Sequence, residues 1–203
     1  MVIRQIKFLE HYMSSVGQQR QQGRMIEVEA KKAIFMDRDG VINKVLLNNG
    51  HPFSPRKLDE FELLPNVKEV LNSFKEMGFI NIIVTNQPDI ARGLMKIEEL
   101  NSMHTLIKKR LPIDDIYVCT HDDSDNCSCR KPKPGMLLDA AKKWGIDLNR
   151  SFLIGDTWKD MEAGKAAGCK TILIDAPYNK SVSCDYRVRD LKGAETIVME
   201  GHK

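Results

Sequence analysis

The sequence predicts an α/β fold in which a doubly wound, mostly parallel sheet carries helices on both faces. Three observations predict it. From residue 32 onward, short apolar or β-branched runs alternate with longer amphipathic segments. Glycines follow several of the amphipathic segments, and polar residues follow the apolar runs. A chain of 203 residues is long enough for one such domain to bury a core without disulfides.

Five apolar runs have the length and composition of strands. In chain order they are residues 33–36, 80–84, 116–119, 152–154 and 171–174. Apolar residues at helical spacing lie between these runs and predict helices at 67–77, 97–110, 136–144 and 161–167. Gly78, Gly145 and Gly168 lie just beyond three of the helices, where a left-handed residue commonly ends a helix.

The domain organisation is predicted to be simple. Residues 1–31, with a weak apolar pattern and a polar run at 18–23, are expected to form an arm or linker, and 32–203 a single domain. A net charge of +3 is too small to indicate a nucleic-acid partner. No apolar stretch suits a membrane span or a secretory signal. We expect a cytoplasmic monomer or weak homodimer that binds neither membranes nor nucleic acid.

Two carboxylates, Asp37 and Asp39, directly follow the first predicted strand. A carboxylate is a competent nucleophile toward phosphorus when a divalent cation shares its charge, and a second carboxylate can act as general acid. An isolated Asp-x-Asp pair is more often part of a solvated turn. The interpretation of this pair therefore depends on the residues at the ends of the other strands.

Groups suited to a phosphate and a cation occur after three later segments. They comprise hydroxyl and amide donors, fixed positive charges near a helix start, and carboxylates. In chain order they are Thr85, Asn86 and Gln87; Arg130, Lys131 and Lys133; and Gly155, Asp156 and Asp160. Ligands of such sheets bind at the carboxyl edge of the strands, so we expect these groups to meet the Asp pair there.

This succession of motifs resembles the haloacid dehalogenase (HAD) superfamily, whose members carry a DxDG loop, a Thr or Ser, a Lys and a GD loop in this order. The resemblance implies a Mg²⁺-dependent phosphatase that works through an aspartyl-phosphate. It implies that Asp37 is the nucleophile and Asp39 the general acid and base. It further implies that Thr85 and Lys131 hold the phosphoryl group, that Asp37, Asp39 and Asp156 bind Mg²⁺, and that Gly155 and Asp160 support them.

Within the superfamily, four segments resemble the group that contains heptose-bisphosphate and histidinol-phosphate phosphatases, which lack a large cap domain. The segments are DRDGVIN (37–43), TNQPDIARG (85–93), CxH…CxCRKPKPGM (119–136) and GDTWKDMEAG (155–164). The resemblance implies a small phosphorylated metabolite as substrate. It favours a heptose 1,7-bisphosphate of lipopolysaccharide or nucleotide-heptose biosynthesis, with histidinol phosphate or another sugar phosphate as the alternative. The residues it assigns to substrate binding are Arg38, Asn43, Asn86, Gln87, Arg130 and Lys133.

Two features of the sequence bear on those assignments. Residues 44–55 and the dipeptide Pro88-Asp89 depart from the usual heptose-enzyme pattern, which affects the substrate and not the chemistry. Spacing alone leaves open whether Lys131 or Lys133 reaches the phosphoryl group, and we favour Lys131 because it follows Cys-Arg directly.

Four potential metal ligands are concentrated between residues 119 and 129. Cys119, His121, Cys127 and Cys129 supply three thiolates and one imidazole, a set that satisfies a closed tetrahedral Zn²⁺. A closed shell predicts a structural ion that orders the Asp-rich turn between the ligands. The alternatives are reduced bystander thiols and, as a different class of protein, a non-catalytic zinc-binding interaction module.

Overall fold

A computed structural model describes residues 30–48 and 50–201 of the chain. Eight strands lie in this part of the protein. They are β1 (Lys32–Met36), β2 (Leu46–Asn48), β3 (His51–Phe53), β4 (Phe79–Asn86), β5 (Asp115–Cys119), β6 (Phe152–Gly155), β7 (Lys170–Ile174) and β8 (Tyr186–Val188). Six of them form one parallel sheet in the order β5-β4-β1-β6-β7-β8.

Helices cover both faces of this sheet. They are α1 (Val67–Glu76), α2 (Ile97–Arg110), α3 (Gly135–Trp144), α4 (Trp158–Ala167) and α5 (Leu191–Gly201). Met103 of α2, together with buried apolar residues of α1 and α5, belongs to one apolar cluster, and Leu137 of α3 and Ala163 of α4 belong to a second. The central strand divides its side chains between them, because Ile34 and Met36 join the first cluster while Ala33 and Phe35 join the second. The predicted doubly wound α/β fold is confirmed.

The strand order reverses at β1, which pairs with β4 on one side and with β6 on the other. From β1 the chain continues to β4 and β5, and then returns to build β6, β7 and β8 on the opposite side. Loops that leave neighbouring strands in opposite directions open a crevice at such a point. Asp37 and Asp156, which follow β1 and β6, therefore lie on the two sides of this crevice.

The chain between β1 and α1 contains only small elements. The antiparallel strands β2 and β3 pair Leu46 with Phe53 and Leu47 with Pro52, and form a hairpin separate from the main sheet. The described residues contain no additional cap domain. None of their helices has the length and apolar character required for crossing a bilayer.

The predicted elements match the observed ones with local differences. All five predicted strands are present, and Gly78, Gly145 and Gly168 have the expected positive φ. Helix α4 begins earlier than predicted, at Trp158, because Thr157 and Asp160 form a capping box at its start. The hairpin, β8 and α5 were not predicted. The predicted arm lies almost wholly outside the described residues, and its boundary at residue 31 stays a prediction.

Candidate active site

Lys131 reaches the carboxylate that follows β1. Its Nζ lies 2.9 Å from Oδ1 of Asp37 and 2.5 Å from Oδ1 of Asp160, and donates to the carbonyl of Val84 at 2.8 Å. The side chain is 2% exposed, so its charge is directed inward. Lys133 instead donates to the carbonyls of residues 126 and 127. The geometry selects Lys131 as the lysine of this site.

Three carboxylates are brought together around this ammonium group. Oxygen atoms of Asp37, Asp156 and Asp160 lie within 4.8 Å of one another. Asp160 is fully buried and satisfied, since it accepts from Lys131 and from the backbone N–H and hydroxyl of Thr157. Asp156 differs, because its Oδ2 accepts from Tyr178 while its Oδ1 is buried without a hydrogen-bond partner.

The cluster is short of positive charge. Burial raises the pKa of Asp37 to about 7; Lys131 opposes this shift, and Asp160 and Asp39 add to it. Burial, together with the charges of Asp37 and Asp160, raises the pKa of Asp156 well above its usual range. A divalent cation ligated by carboxylate oxygens would supply the missing charge. The unpartnered oxygen of Asp156 is the structural observation that fits such an ion.

Asp39 lies in a different environment. Burial acts to raise its pKa, but the charge of Arg38 and hydrogen bonds from Asn43, Ser54 and Gln87 lower it below the usual value. The bonds from Asn43, Ser54 and Gln87 measure 2.9, 2.7 and 2.8 Å. These donors hold Asp39 as an ionised acceptor in the cavity wall, outside the cluster of three carboxylates. Its predicted role as a ligand of Mg²⁺ stays a prediction.

Above these residues lies a cavity of about 440 Å³, of which Asp37, Asp39, Lys131 and Asp156 form part of the lining. Pro52, Phe53 and Ser54 of the hairpin segment contribute to its wall, as do the following side chains after β6 and β7: Trp158, Lys159, Tyr178 and Asn179. The volume is in the range of small-molecule sites.

Of the six side chains predicted to bind substrate, Asn86 and Arg130 line the cavity. Arg38, Asn43 and Gln87 are fully buried and hydrogen-bond to Asp39. Lys133 holds the turn at 126–127. These four residues contact protein groups and lie outside the cavity lining, and their assignment to substrate binding stays a prediction.

Thr85 is also nearly fully buried, at the end of β4, where its hydroxyl accepts from Gln87 at 3.0 Å. It does not belong to the cavity lining. Its predicted contact with a phosphoryl group stays a prediction.

Two hydrogen bonds in the site come from side chains that lie outside the four motifs. Ser54 reaches Asp39 from 15 residues away, and Tyr178 reaches Asp156 from 22 residues away. Neither side chain belongs to a motif, and each is brought in by a loop whose path only the fold defines. The motifs around Asp39 and Asp156 gave no indication of either donor.

Glycines permit close packing in the loops after β1 and β6. Gly40 has φ +82°, and a β-carbon there would collide with the carboxylate of Asp156. A β-carbon on Gly155 would likewise collide with the side chain of Asp160. Gly40 therefore permits the loop after β1 to pack against Asp156, and Gly155 permits the tight turn from β6 into α4.

Arginines at the cavity mouth are paired with carboxylates. Arg130 donates to Asp123 at 2.7 Å, and Arg92 makes two bonds of 2.6 and 2.7 Å to Asp122. Both acids belong to the turn that connects the predicted metal-binding cysteines. That turn therefore holds the guanidinium groups of Arg92 and Arg130 at the cavity mouth.

The four predicted zinc ligands converge beside this turn. Sγ of Cys119 lies 3.6 Å from Nδ1 of His121 and 3.6 Å from Sγ of Cys127. Sγ of Cys129 lies 3.4 Å from each of the same two atoms. A tetrahedron around Zn²⁺, with bonds of about 2.3 Å to sulfur and about 2.0 Å to nitrogen, has edges of about 3.8 and about 3.5 Å. The donor set and its spacing fit that ion.

The fold and the site together define an α/β enzyme with an Asp-x-Asp loop after the central strand and a lysine–carboxylate cluster beneath it. Comparison with known proteins gives the family. A family model described as haloacid dehalogenase-like hydrolase matches residues 44–168.

Curated relatives and a solved structure agree with this match. The D-glycero-beta-D-manno-heptose-1,7-bisphosphate 7-phosphatase of Pasteurella multocida is 39% identical over 71% of this chain and 82% of its own length. The protein of the same name from Helicobacter pylori strain J99 is 36% identical over 72% and 84%. The crystal structure of D,D-heptose 1,7-bisphosphate phosphatase from B. bronchiseptica, complexed with magnesium and phosphate, is 27% identical. It has a TM-score of 0.72 and covers 83% of this chain and 98% of its own.

The chain belongs to the haloacid dehalogenase-like hydrolases. The resemblance inferred from the four motifs is confirmed, including the subgroup to which the motifs pointed.

Proposed function

We propose that the protein is a Mg²⁺-dependent phosphatase that removes the 7-phosphate of D-glycero-D-manno-heptose 1,7-bisphosphate through an aspartyl-phosphate on Asp37. The observation that carries the proposal is the convergence of Asp37, Asp156 and Asp160 on the buried ammonium group of Lys131, at the floor of a cavity large enough for a sugar phosphate. The names of the relatives support the substrate.

Phosphoryl transfer to the protein is the first step. A carboxylate oxygen of Asp37 attacks phosphorus, the bond from phosphorus to the substrate oxygen breaks, and Asp39 gives that oxygen a proton. Lys131, 2.9 Å from Asp37, offsets the negative charge of the nucleophile and of the phosphoryl oxygens. Asp37 and Asp156 would hold Mg²⁺, which when bound supplies further positive charge for the same purpose.

Hydrolysis of the aspartyl-phosphate is the second step. Asp39 removes a proton from water, the water oxygen attacks phosphorus, and the bond to Asp37 breaks to release inorganic phosphate. The lowered pKa of Asp39 keeps the carboxylate in the ionised form that a base requires, and lowers its affinity for the proton. Its acid role in the first step requires the pKa to rise, and a phosphate dianion that enters beside Asp39 acts in that direction.

Arg130 is the residue that we assign to the second phosphate of the substrate. It lines the cavity and is held by Asp123 and by the carbonyl of His121. A guanidinium group in fixed orientation suits a phosphate that must be held while the other one reacts. Location in the cytoplasm and a monomeric or weakly dimeric state complete the proposal.

Substitutions of the nucleophile and of the two lysines test the chemistry. Asp37→Asn should abolish turnover without lowering the melting temperature, because it removes a negative charge from a buried acidic cluster. Lys131→Met should reduce kcat by about a hundredfold or more, since it removes the cation next to the nucleophile. Lys133→Met is the matched control and should stay near wild type. Substantial turnover by Asp37→Asn would refute the proposal.

A comparison of substrates tests the assignment to heptose. We expect kcat/KM for the heptose bisphosphate to exceed that for histidinol phosphate by well over tenfold. A tenfold ratio corresponds to about 1.4 kcal/mol in transition-state binding. Arg130→Met should lower kcat/KM for the heptose bisphosphate more than for histidinol phosphate, because only the bisphosphate has the second phosphate that we assign to Arg130. A ratio below about tenfold in the wild type would mean that neither compound is the evolved substrate.

Magnesium binding should depend on pH in a defined direction. The pKa of Asp37 in the folded protein is raised to about 7. Between about pH 4 and about pH 7 the folded protein therefore keeps a proton on Asp37 that the unfolded chain has lost. The free energy of unfolding of the metal-free protein consequently falls as pH rises through this range. Protons therefore compete with the cation below about pH 7. The rise in melting temperature caused by a fixed Mg²⁺ concentration should be larger at about pH 8 than at about pH 6. Asp156→Asn should remove most of this rise, and an equal rise at both values would contradict the assignment.

We further propose that Cys119, His121, Cys127 and Cys129 bind a structural Zn²⁺ that fixes the turn at the cavity mouth. Elemental analysis should find about one zinc per chain. Cys129→Ser should lose the zinc, lower the melting temperature and weaken the phosphatase reaction, whereas Cys184→Ser, outside the cluster, should change none of these. Full zinc content in Cys129→Ser would contradict the proposed ligand set.

A further inference from the structure

The loop from Asp175 to Val182, which follows β7, contacts one of the clustered carboxylates through two adjacent residues. The hydroxyl of Tyr178 donates to Oδ2 of Asp156 at 2.5 Å, and Nδ2 of Asn179 donates to the backbone carbonyl of Asp156 at 2.7 Å. The side chain and the backbone of Asp156 are therefore both held from the same loop. No part of this loop belongs to the four motifs.

The loop is itself fixed, so these two donors are pre-positioned. Asn179 is 1% exposed, also donates to the carbonyl of Ile174 at 2.8 Å, and accepts from the backbone N–H of Ala176. Arg187 on β8 donates to the carbonyl of Val182 at 2.8 Å and to Oδ1 of Asn179 at 3.2 Å. The edge strand thereby anchors the loop at its centre and at its end.

The hydrogen bond from Tyr178 separates the functions of the two oxygens of Asp156. Oδ2 is occupied by the phenol, while Oδ1 is buried and has no hydrogen-bond partner within the protein. A carboxylate that is held at one oxygen presents the other in a single orientation, and ligand carboxylates in metal sites are commonly oriented in this way. Tyr178 also lines the cavity, as Asp156 does.

We propose that Tyr178 is a positioning residue for the catalytic cation: its hydroxyl fixes Asp156 so that Oδ1 faces the Mg²⁺ position. The inference rests on the proposed function, since it requires that Asp156 bind the ion. It assigns a role in metal affinity to a residue that the four motifs do not contain. A hydroxyl that orients a ligand should affect how tightly the ion binds more than the rate of the reaction once the ion is bound.

Tyr178→Phe tests this role, because it removes one oxygen atom and keeps the ring. Isothermal titration with Mg²⁺ should give a Kd about tenfold higher than wild type. The activity lost at low Mg²⁺ should be recovered when Mg²⁺ is raised, so the change lies in the Mg²⁺ concentration for half-maximal rate and not in the maximal rate. Tyr186→Phe, which alters an exposed tyrosine on β8, is the matched control and should leave both quantities unchanged.

Three outcomes would contradict the proposal in different ways. Wild-type affinity for Mg²⁺ in Tyr178→Phe would overturn the positioning role and leave the proposed function intact. Wild-type affinity in Tyr178→Phe with a large loss in Tyr178→Leu would assign the effect to packing of the ring, and would also overturn the role of the hydroxyl. If the wild-type protein itself did not bind Mg²⁺, the proposed function would fail together with this inference.

Discussion

The ammonium group of Lys131 lies between the carboxylates of Asp37 and Asp160, and the rest of the site depends on this contact. One buried cation cannot balance three clustered carboxylates, so burial leaves the pKa values of Asp37 and Asp156 raised. The missing positive charge can be supplied by a divalent cation and by the donors that surround a bound phosphate. The same deficit that makes the metal-free site electrostatically unfavourable makes it suited to phosphoryl transfer.

The parallel sheet is the constraint that brings these groups together. Asp37 and Asp156 leave neighbouring strands, and the loop after β1 approaches Asp156 closely because Gly40 has no side chain to intervene. Lys131 comes from a segment that follows β5, two strands away from β1, and reaches the site beneath the end of β4, where it donates to the carbonyl of Val84. Each segment that carries one of these residues is short, and the parallel sheet brings the segments together.

Much of this arrangement is readable from the sequence because strands and motifs carry local signals. The elements missed were those with weak local signals, such as the three-residue strands β2, β3 and β8. Helix α5 is different, because Leu191, Ala194 and Val198 lie at helical spacing and give a local signal for a helix. The contacts of Arg38 and Gln87 with Asp39 could not be inferred from their types, since a polar residue within a motif can face the cavity or support a neighbour. Contacts such as Tyr178 to Asp156 depend on long-range packing.

The most direct test of the aspartyl-phosphate mechanism is to locate the phosphoryl group during a single turnover. The enzyme would be mixed with Mg²⁺ and a stoichiometric amount of the heptose bisphosphate, quenched in acid, digested and mapped by mass spectrometry. We expect a phosphoryl group on Asp37 in the peptide containing residues 37–43, and none in Asp37→Asn. A phosphoryl group on any other residue, or complete turnover in Asp37→Asn, would contradict the mechanism.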